Sequence, residues 1–261
     1  MIERIDKVLV SLNYSPTRSQ ARLLIKEGAV FYKGKKVDKP GLLVESRDIE
    51  VKKISSFVGR GGDKLESVLI DLDISVKNMV IADIGASTGG FTDVVLKRGA
   101  QKVYAVDVGK DQLALELKND ERVYNLEGIN IKTGLDLPEK VDLCVVDLSF
   151  ISLKLTLENI FSLIHEQGSV LALVKPQFEA GKNRIGKKGV IKDPSVRLDV
   201  LFELYDWCYE KGMILDSAMA SPIQGKLGNQ EYFFYLFKES SERRQMKRSA
   251  LLSVVGKEEK N

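Results

Sequence analysis

One stretch limits the fold more than any other. Met79 to Gly109 reads MVIADIGASTGGFTDVVLKRGAQKVYAVDVG. An apolar run ends at Asp83, a glycine-rich turn follows, a helical segment begins near Gly90, and a second apolar run covers Val103 to Asp107. This is the opening of a β-α-β unit, and such units build parallel sheets. Two common ligands of that turn fail on single residues. A dinucleotide site needs GxGxxG, but Ser87 stands at its second glycine; a Walker loop needs Lys where this chain has Phe91. What survives is a turn that lets a flat or zwitterionic ligand approach the backbone, with Asp83 at the strand end and Asp107 able to accept hydrogen bonds from ribose hydroxyls.

The alternation continues downstream. Leu143 to Asp147 reads as a buried strand, Leu153 to Ile164 as a helix, Ser169 to Val174 as a strand and Val196 to Tyr209 as a helix. Met213 to Ser221 and Glu231 to Phe237 read as two more strands. The pattern predicts an α/β doubly wound sheet with its ligands at the carboxyl ends of the strands. Asp147 and Lys175 fall at such ends, and Pro176 keeps the backbone of Lys175 out of a helix, which puts that lysine at a cleft edge.

Composition matters mainly by what it removes. His165 is the only histidine in 261 residues, which excludes histidine triads and multi-histidine metal sites. It precedes Gly168, so it is expected in the last turn of a helix, where a cation meets the terminal carbonyls. Cys144 and Cys208 are too few for a disulfide framework and lie in apolar segments; a reducing, cytoplasmic location is expected, with no metal. The opening residues MIERIDKVLV lack the apolar core of a signal peptide, and no run approaches the ~18 apolar residues of a membrane span.

Charge is unevenly placed. Residues 1–53 carry 12 Lys or Arg against 7 Asp or Glu, whereas the rest carries 28 against 30. A small basic module therefore precedes a larger, nearly neutral one, as when phosphate attraction is delegated to one end. In it Ile5, Val8, Leu9 and Leu12 have helical spacing, and Ser15, Pro16 and Thr17 announce a second helix carrying Ala21, Leu24 and Ile25, with Arg18, Arg22 and Lys26 on one face. Short strands are expected at Val30 and Phe31, around Val37, and through Ile49 and Val51. The run from Arg4 to Val51 resembles the S4 RNA-binding domain, including Arg4, Asp6, Lys7, Arg18, Ala21, Ile25, Gly28, Val30, Gly34, Val37, Lys39, Pro40 and Asp48. The resemblance implies an RNA-binding surface at Arg4, Arg18, Arg22, Lys33, Lys35 and Lys36. Asn13 replaces the family's usual glycine at a helix end, a position where asparagine also tolerates a left-handed backbone.

The Met79 to Gly109 stretch in turn resembles motif I of the Rossmann-like S-adenosylmethionine methyltransferases. That likeness implies cofactor contacts at Asp83, Gly85, Ala86, Ser87, Gly89, Gly90 and Phe91, with Asp107 on the ribose diol. Lys64 in GRGGDKL, Asp147 in VVDLSF, Lys175 in LVKPQFE and Glu231 in GNQEYFF match, in order and flanks, the Lys-Asp-Lys-Glu tetrad of the FtsJ-like ribose 2′-O-methyltransferases. The chemistry is consistent with such a set. Methyl transfer from a sulfonium needs an aligned hydroxyl that sheds its proton, and a lysine beside a second cation has its neutral form favoured. Lys175 is the expected base, Asp147 its orienting partner, Lys64 a cation positioning the ribose, and Glu231 a supporting carboxylate.

An S4 domain followed by an FtsJ-like domain is similar to the TlyA family, haemolysin-named ribosomal RNA methyltransferases, across residues 2–238. The resemblance implies 2′-O-methylation of a ribosomal RNA cytidine, with S-adenosylmethionine as cofactor and the ribosomal subunits as partners. The expected layout is an S4 domain over residues 1–53, a linker over 54–58, an FtsJ-like domain over 59–238 and a basic tail over 239–261. Some family members carry an Arg before the linker aromatic, where Ser55 and Ser56 precede Phe57 here. The Gly181 to Lys192 stretch, with Lys182, Arg184, Lys187, Lys188 and Lys192, is either a mobile solvated loop or a lid over RNA, the lid being favoured because it follows Lys175 directly. The tail with Arg243, Arg244, Lys247 and Arg248 is either a frayed helix or an RNA contact. Two rival functions are a membrane-active haemolysin and an S4-type adaptor with an inactive methyltransferase fold.

Overall fold

The computed structural model describes residues 2–15, 17–45, 47–52, 57–186, 189–225 and 227–256. Pro16, Ser55, Ser56, Lys187 and Lys188 lie outside the described residues. At the N-terminus β1 (Ile2–Arg4), α1 (Ile5–Ser11), α2 (Arg18–Glu27), β2 (Val30–Tyr32), β3 (Lys35–Lys36), β4 (Leu43–Glu45) and β5 (Ile49–Val51) make a small α+β unit. The helically spaced apolar residues of α1 and α2 bury Ile5, Val8, Leu9, Ala21 and Ile25 against Val30, Val37, Val44 and Ile49. Helix α2 begins where the Gln20 N–H donates to the Thr17 hydroxyl and ends at Gly28, whose φ is 79°. Asn13 takes the left-handed conformation, with φ 59°.

The larger unit comprises α3 (Arg60–Asp71), β6 (Val80–Ile84), α4 (Gly90–Lys97), β7 (Lys102–Asp107), α5 (Leu115–Lys118), β8 (Val123–Glu127), β9 (Val141–Val146), α6 (Leu157–Phe161), β10 (Ile164–Val174), α7 (Pro176–Glu179), α8 (Pro194–Glu210), β11 (Met213–Ala220), β12 (Tyr232–Lys238) and α9 (Leu251–Gly256). Its seven strands lie in the order β11-β12-β10-β9-β6-β7-β8. Strands β8, β7, β6, β9 and β10 are parallel, and β12 runs antiparallel between β10 and β11. Alternate residues of each strand face opposite ways: Ala82, Ile84, Tyr104, Val106, Cys144 and Val146 pack under α6, α8 and α9. Ile81, Val103, Ala105, Leu143 and Val145 pack under α3 and α4. With helices on both faces the sheet is doubly wound. From β6 the chain moves outward to β7 and β8, then returns to place β9 on the other side of β6. The two excursions separate at the carboxyl ends of β6 and β9, where a crevice must open.

Three local expectations need correction. The segment Leu153 to Ile164 is not one helix but a 3-10 turn at Leu153–Leu155, the five-residue α6, and the start of β10 at Ile164. His165 therefore lies on a strand, not in a last helical turn, and its Nε2 is 2.9 Å from Asp142 Oδ1. Burial decides this: Ile164 fills the core opposite Val141, and the pairing resumes in a shifted register at Ser169. Residues 239–256 are not a frayed tail. Arg243 stacks 4.5 Å from the Phe237 ring, Arg248 pairs with Asp206 at 2.8 Å, and Leu251, Val254 and Val255 are buried in the sheet core. On the Gly181 to Lys192 stretch, Arg184 donates to the Ala180 carbonyl and to Glu203, and the Ile191 N–H donates to Asn229 Oδ1. Among the described residues no helix is long and apolar enough to cross a membrane.

Candidate active site

The turn after β6 is anchored to β7, because the N–H groups of Gly85 and Ala86 both donate to the Val106 carbonyl. Gly85 has φ 90°, and a Cβ there would lie 2.6 Å from the Asp147 carbonyl oxygen. Only glycine fits at that crossing. Ser87 is held at φ 51° and donates its N–H to Asp107 Oδ2 at 2.9 Å. The Gly109 N–H at 2.6 Å and the Gln112 amide at 3.3 Å donate to Asp107 Oδ1. The carboxylate is thereby fixed: three of its four lone-pair sites are taken, and Oδ2 keeps one for a hydroxyl.

Asp83 has no solvent exposure. Its Oδ2 accepts the Thr92 N–H and hydroxyl at 2.9 and 2.6 Å, while its Oδ1 has no hydrogen-bond partner. Burial pushes the carboxyl up to about 7, with the Asp147 and Asp107 charges adding to the rise and the Thr92 hydrogen bonds opposing it. A buried carboxylate oxygen without a donor is an unfilled acceptor for a cationic group. That free acceptor, the fixed Asp107 and the glycine turn together fit a cofactor bearing an ammonium and a ribose diol.

The four ionisable residues singled out in the sequence converge as two pairs. Lys175 Nζ lies 2.5 Å from Asp147 Oδ1 and donates to the Ser149 hydroxyl at 2.8 Å. Lys64, one turn into α3, donates to Glu231 Oε2 at 2.6 Å. The sequence reading set the two lysines side by side and paired Lys175 with Asp147; the structure has that pair and matches Lys64 with a carboxylate of its own, Glu231. Burial opposes the charge on Asp147, but Lys175, Lys64 and more weakly Lys26 outweigh it and hold its pKa below the usual value. Topology brings the set together: Asp147 and Lys175 follow adjacent parallel strands, and Glu231 precedes β12, which pairs with β10. Lys64 reaches it because Gly90 lets α3 sit close on the motif loop: a Cβ at Gly90 would lie 3.0 Å from the Gly62 nitrogen.

A crevice of about 380 Å³ opens beside these groups, walled by Val108, Ile129, Ile131 and Phe150 and edged by Asp107, Asn130, Asp147 and Ser149. A smaller recess of about 90 Å³ shares Gly85, Ser87 and Asp147 with it and adds Gly61, Asp83, Thr88 and Phe91. Phe91 also stacks on Phe233, so it is a core residue as much as a lining one. Sequence reasoning missed Val108, Gln112, Asn130, Ser149 and Phe150. Only their places, directly after strand-end carboxylates or in the loop following β8, could have flagged them. Among the described residues no group of three or more His, Cys, Asp or Glu is arranged to hold a metal ion.

On the basic unit, Arg4, Arg18 and Arg22 converge on Asp6, which is fully buried. Arg4 donates to Oδ1 at 3.1 Å, and Arg18 and Arg22 donate to Oδ2 at 3.0 Å. Burial alone would raise this carboxyl, but the three guanidinium groups hold it well below the usual carboxylate range. The arginines stay half-exposed and keep unused N–H donors, so the face still carries excess positive charge. Lys33, Lys35 and Lys36 are exposed on the β2–β3 turn. Lys26, grouped with the arginines by its spacing, instead lines the crevice of the larger unit.

A family model described as FtsJ-like methyltransferase matches residues 57–238, and one described as S4 domain matches residues 3–49. YqxC of Bacillus subtilis, which carries a provisional rRNA-methyltransferase name, is 39% identical over 97% of this chain and 92% of its own. The 16S/23S rRNA (cytidine-2′-O)-methyltransferase TlyA of Mycobacterium tuberculosis is 39% identical over 89% of each chain. Among solved structures, a provisionally hemolysin-named protein from Streptococcus thermophilus is similar with a TM-score of 0.78 at 36% identity, covering 99% of this chain and 96% of that one.

Proposed function

This chain belongs to the FtsJ-like methyltransferase family and carries an S4 domain ahead of the catalytic one, and we propose that it transfers a methyl group from S-adenosylmethionine to a cytidine 2′-hydroxyl of ribosomal RNA. Ribosomal subunits are then its partners and the cytoplasm its place of action. The observation that carries the reading is the pairing of Lys175 with Asp147 and of Lys64 with Glu231 beside a crevice that begins at the glycine turn.

The cofactor supplies an electrophilic methyl group. Asp83 Oδ1 would accept from its ammonium, Asp107 Oδ2 from its ribose diol, and Val108 and Asn130 would border its base. Lys175, held by Asp147 and Ser149, takes the proton of the attacking hydroxyl. Alignment is the larger contribution of this site, and near-attack geometry supplies roughly 7–11 kcal/mol in favourable cases. Lys64, steadied by Glu231, faces the acceptor from the α3 side. A 2′-hydroxyl exists in RNA and not in DNA, and the exposed lysines of the S4 domain attract phosphates without reading sequence.

Lys175→Ala is expected to abolish ribose methylation of ribosomal RNA while leaving RNA affinity within about twofold. Equal loss of both would reassign Lys175 to phosphate binding. Calorimetry with S-adenosylmethionine checks the enzyme reading itself: no binding, with RNA present or absent, would leave an RNA-binding adaptor.

A further inference from the structure

We propose that Lys26 of the S4 domain is a positioning residue for the methyl acceptor, its ammonium holding the phosphodiester next to the target ribose at the mouth of the catalytic crevice. This rests on the methyltransferase reading above. Lys26 occupies the last turn of α2, and that helix is docked on the catalytic domain: the Gln20 amide donates to the Leu113 carbonyl at 2.7 Å, and Gln20 and Leu24 face Ala114 and Leu115 across a shared groove. Docking carries the Lys26 side chain to the crevice that Asp107 and Asp147 edge. Its charge is felt there, since it is one of those stabilising the Asp147 carboxylate. Arg18 and Arg22 on the same helix are turned to Asp6, whereas Lys26 is exposed at the crevice rim.

The chemistry of the crevice selects the anion. The cofactor's ammonium end, with its carboxylate, belongs in the recess with Asp83, which Lys26 does not line, and adenosine carries no charge. The remaining anion is the substrate backbone. A phosphodiester adjoining the reacting ribose must approach Asp107 and Asp147, two like charges, and a cation on the acceptor side offsets that repulsion. A lysine suits the task as a mobile point charge on a long stem. The S4 domain would thus supply, besides general RNA affinity, one charge inside the reaction centre.

The test compares wild type, Lys26→Met and Lys26→Arg on ribosomal RNA. For Lys26→Met the KM for RNA is expected to rise several-fold with kcat little changed, and the log–log salt slope of RNA binding to fall by about 1. The Kd for S-adenosylmethionine should stay at the wild-type value, and Lys26→Arg should restore the KM. A weakened cofactor Kd with unchanged RNA KM would make Lys26 a cofactor contact and overturn the proposal, as would an unaltered Lys26→Met. Wild-type protein that transfers no methyl group would sink the methyltransferase reading itself, an outcome distinct from an active wild type with an unaffected variant.

Discussion

Asp83 and Asp6 are both removed from solvent, yet their surroundings drive them in opposite directions. Burial lifts Asp83 to about 7, so the folded chain holds a proton there that the unfolded chain releases near pH 4. Its contribution to stability is complete below pH 4 and is lost as pH rises through 7. Asn mimics the protonated acid, so without cofactor Asp83→Asn is expected to raise Tm at pH 8 and leave it nearly unchanged at pH 4, while weakening S-adenosylmethionine binding. An equal Tm change at both pH values would remove the titration argument. Asp6 is depressed by its three arginines, so its contribution is present above about pH 4 and fades as pH falls further. Asp6→Asn should therefore lower Tm most at neutral pH, with the difference shrinking under acid; thermal melts across pH 2 to 8 would show a constant difference if the arginines were indifferent to Asp6. Neither fate was readable from the sequence, in which Asp83 is a single aspartate between Ala82 and Ile84 and Asp6 one between Ile5 and Lys7.

Elements with a strong period were the ones sequence reasoning placed well. Helix α8 and strands β6, β7, β9, β11 and β12 fall within a few residues of their expected positions, because continuous apolar runs have only the buried strand or the helical stripe to adopt. Strand β8 was missed: its sequence VYNLE is half polar and it lies at the sheet edge, where burial imposes no pattern. Helix α6 was overextended, because the Leu153 to Ile164 run has helical spacing but pairing of Ile164 with Val141 claims its end. Helix α9 shows the same override. Charge made residues 239–261 look like a tail, whereas Leu251, Val254 and Val255 are covered by α8 and β11. Leu251→Ala is expected to cost about 2–5 kcal/mol in urea unfolding, as for a buried leucine that leaves a cavity. A cost under about 0.5 kcal/mol, the range of surface changes, would mean that α9 is not part of the folded core.

At the scale of the whole molecule, two modules of different charge are joined so that one reaches into the other. The exposed Lys33, Lys35 and Lys36 are expected to act as independent phosphate contacts. Replacing all three with Ala should weaken RNA binding, lower its salt slope by roughly 2–3, and leave the cofactor Kd unchanged. A changed cofactor Kd would show that this turn acts on the catalytic domain. By itself the sequence determined the two modules, the doubly wound sheet and the glycine turn, and it singled out the four ionisable residues, since each is carried by local periodicity or by a motif whose spacing a backbone must honour. Beyond the Lys175–Asp147 pair, only the tertiary structure decided who meets whom. Lys64 meets Glu231 across 167 positions, Lys175 takes Ser149 as well as Asp147, and Lys26 leaves the arginine face for the crevice. The reason is physical. Propensity and hydrophobic period act over a few residues, whereas an ion pair forms wherever strand order and domain docking bring two side chains within about 4 Å, and strand order is settled by burying both faces of a sheet at once.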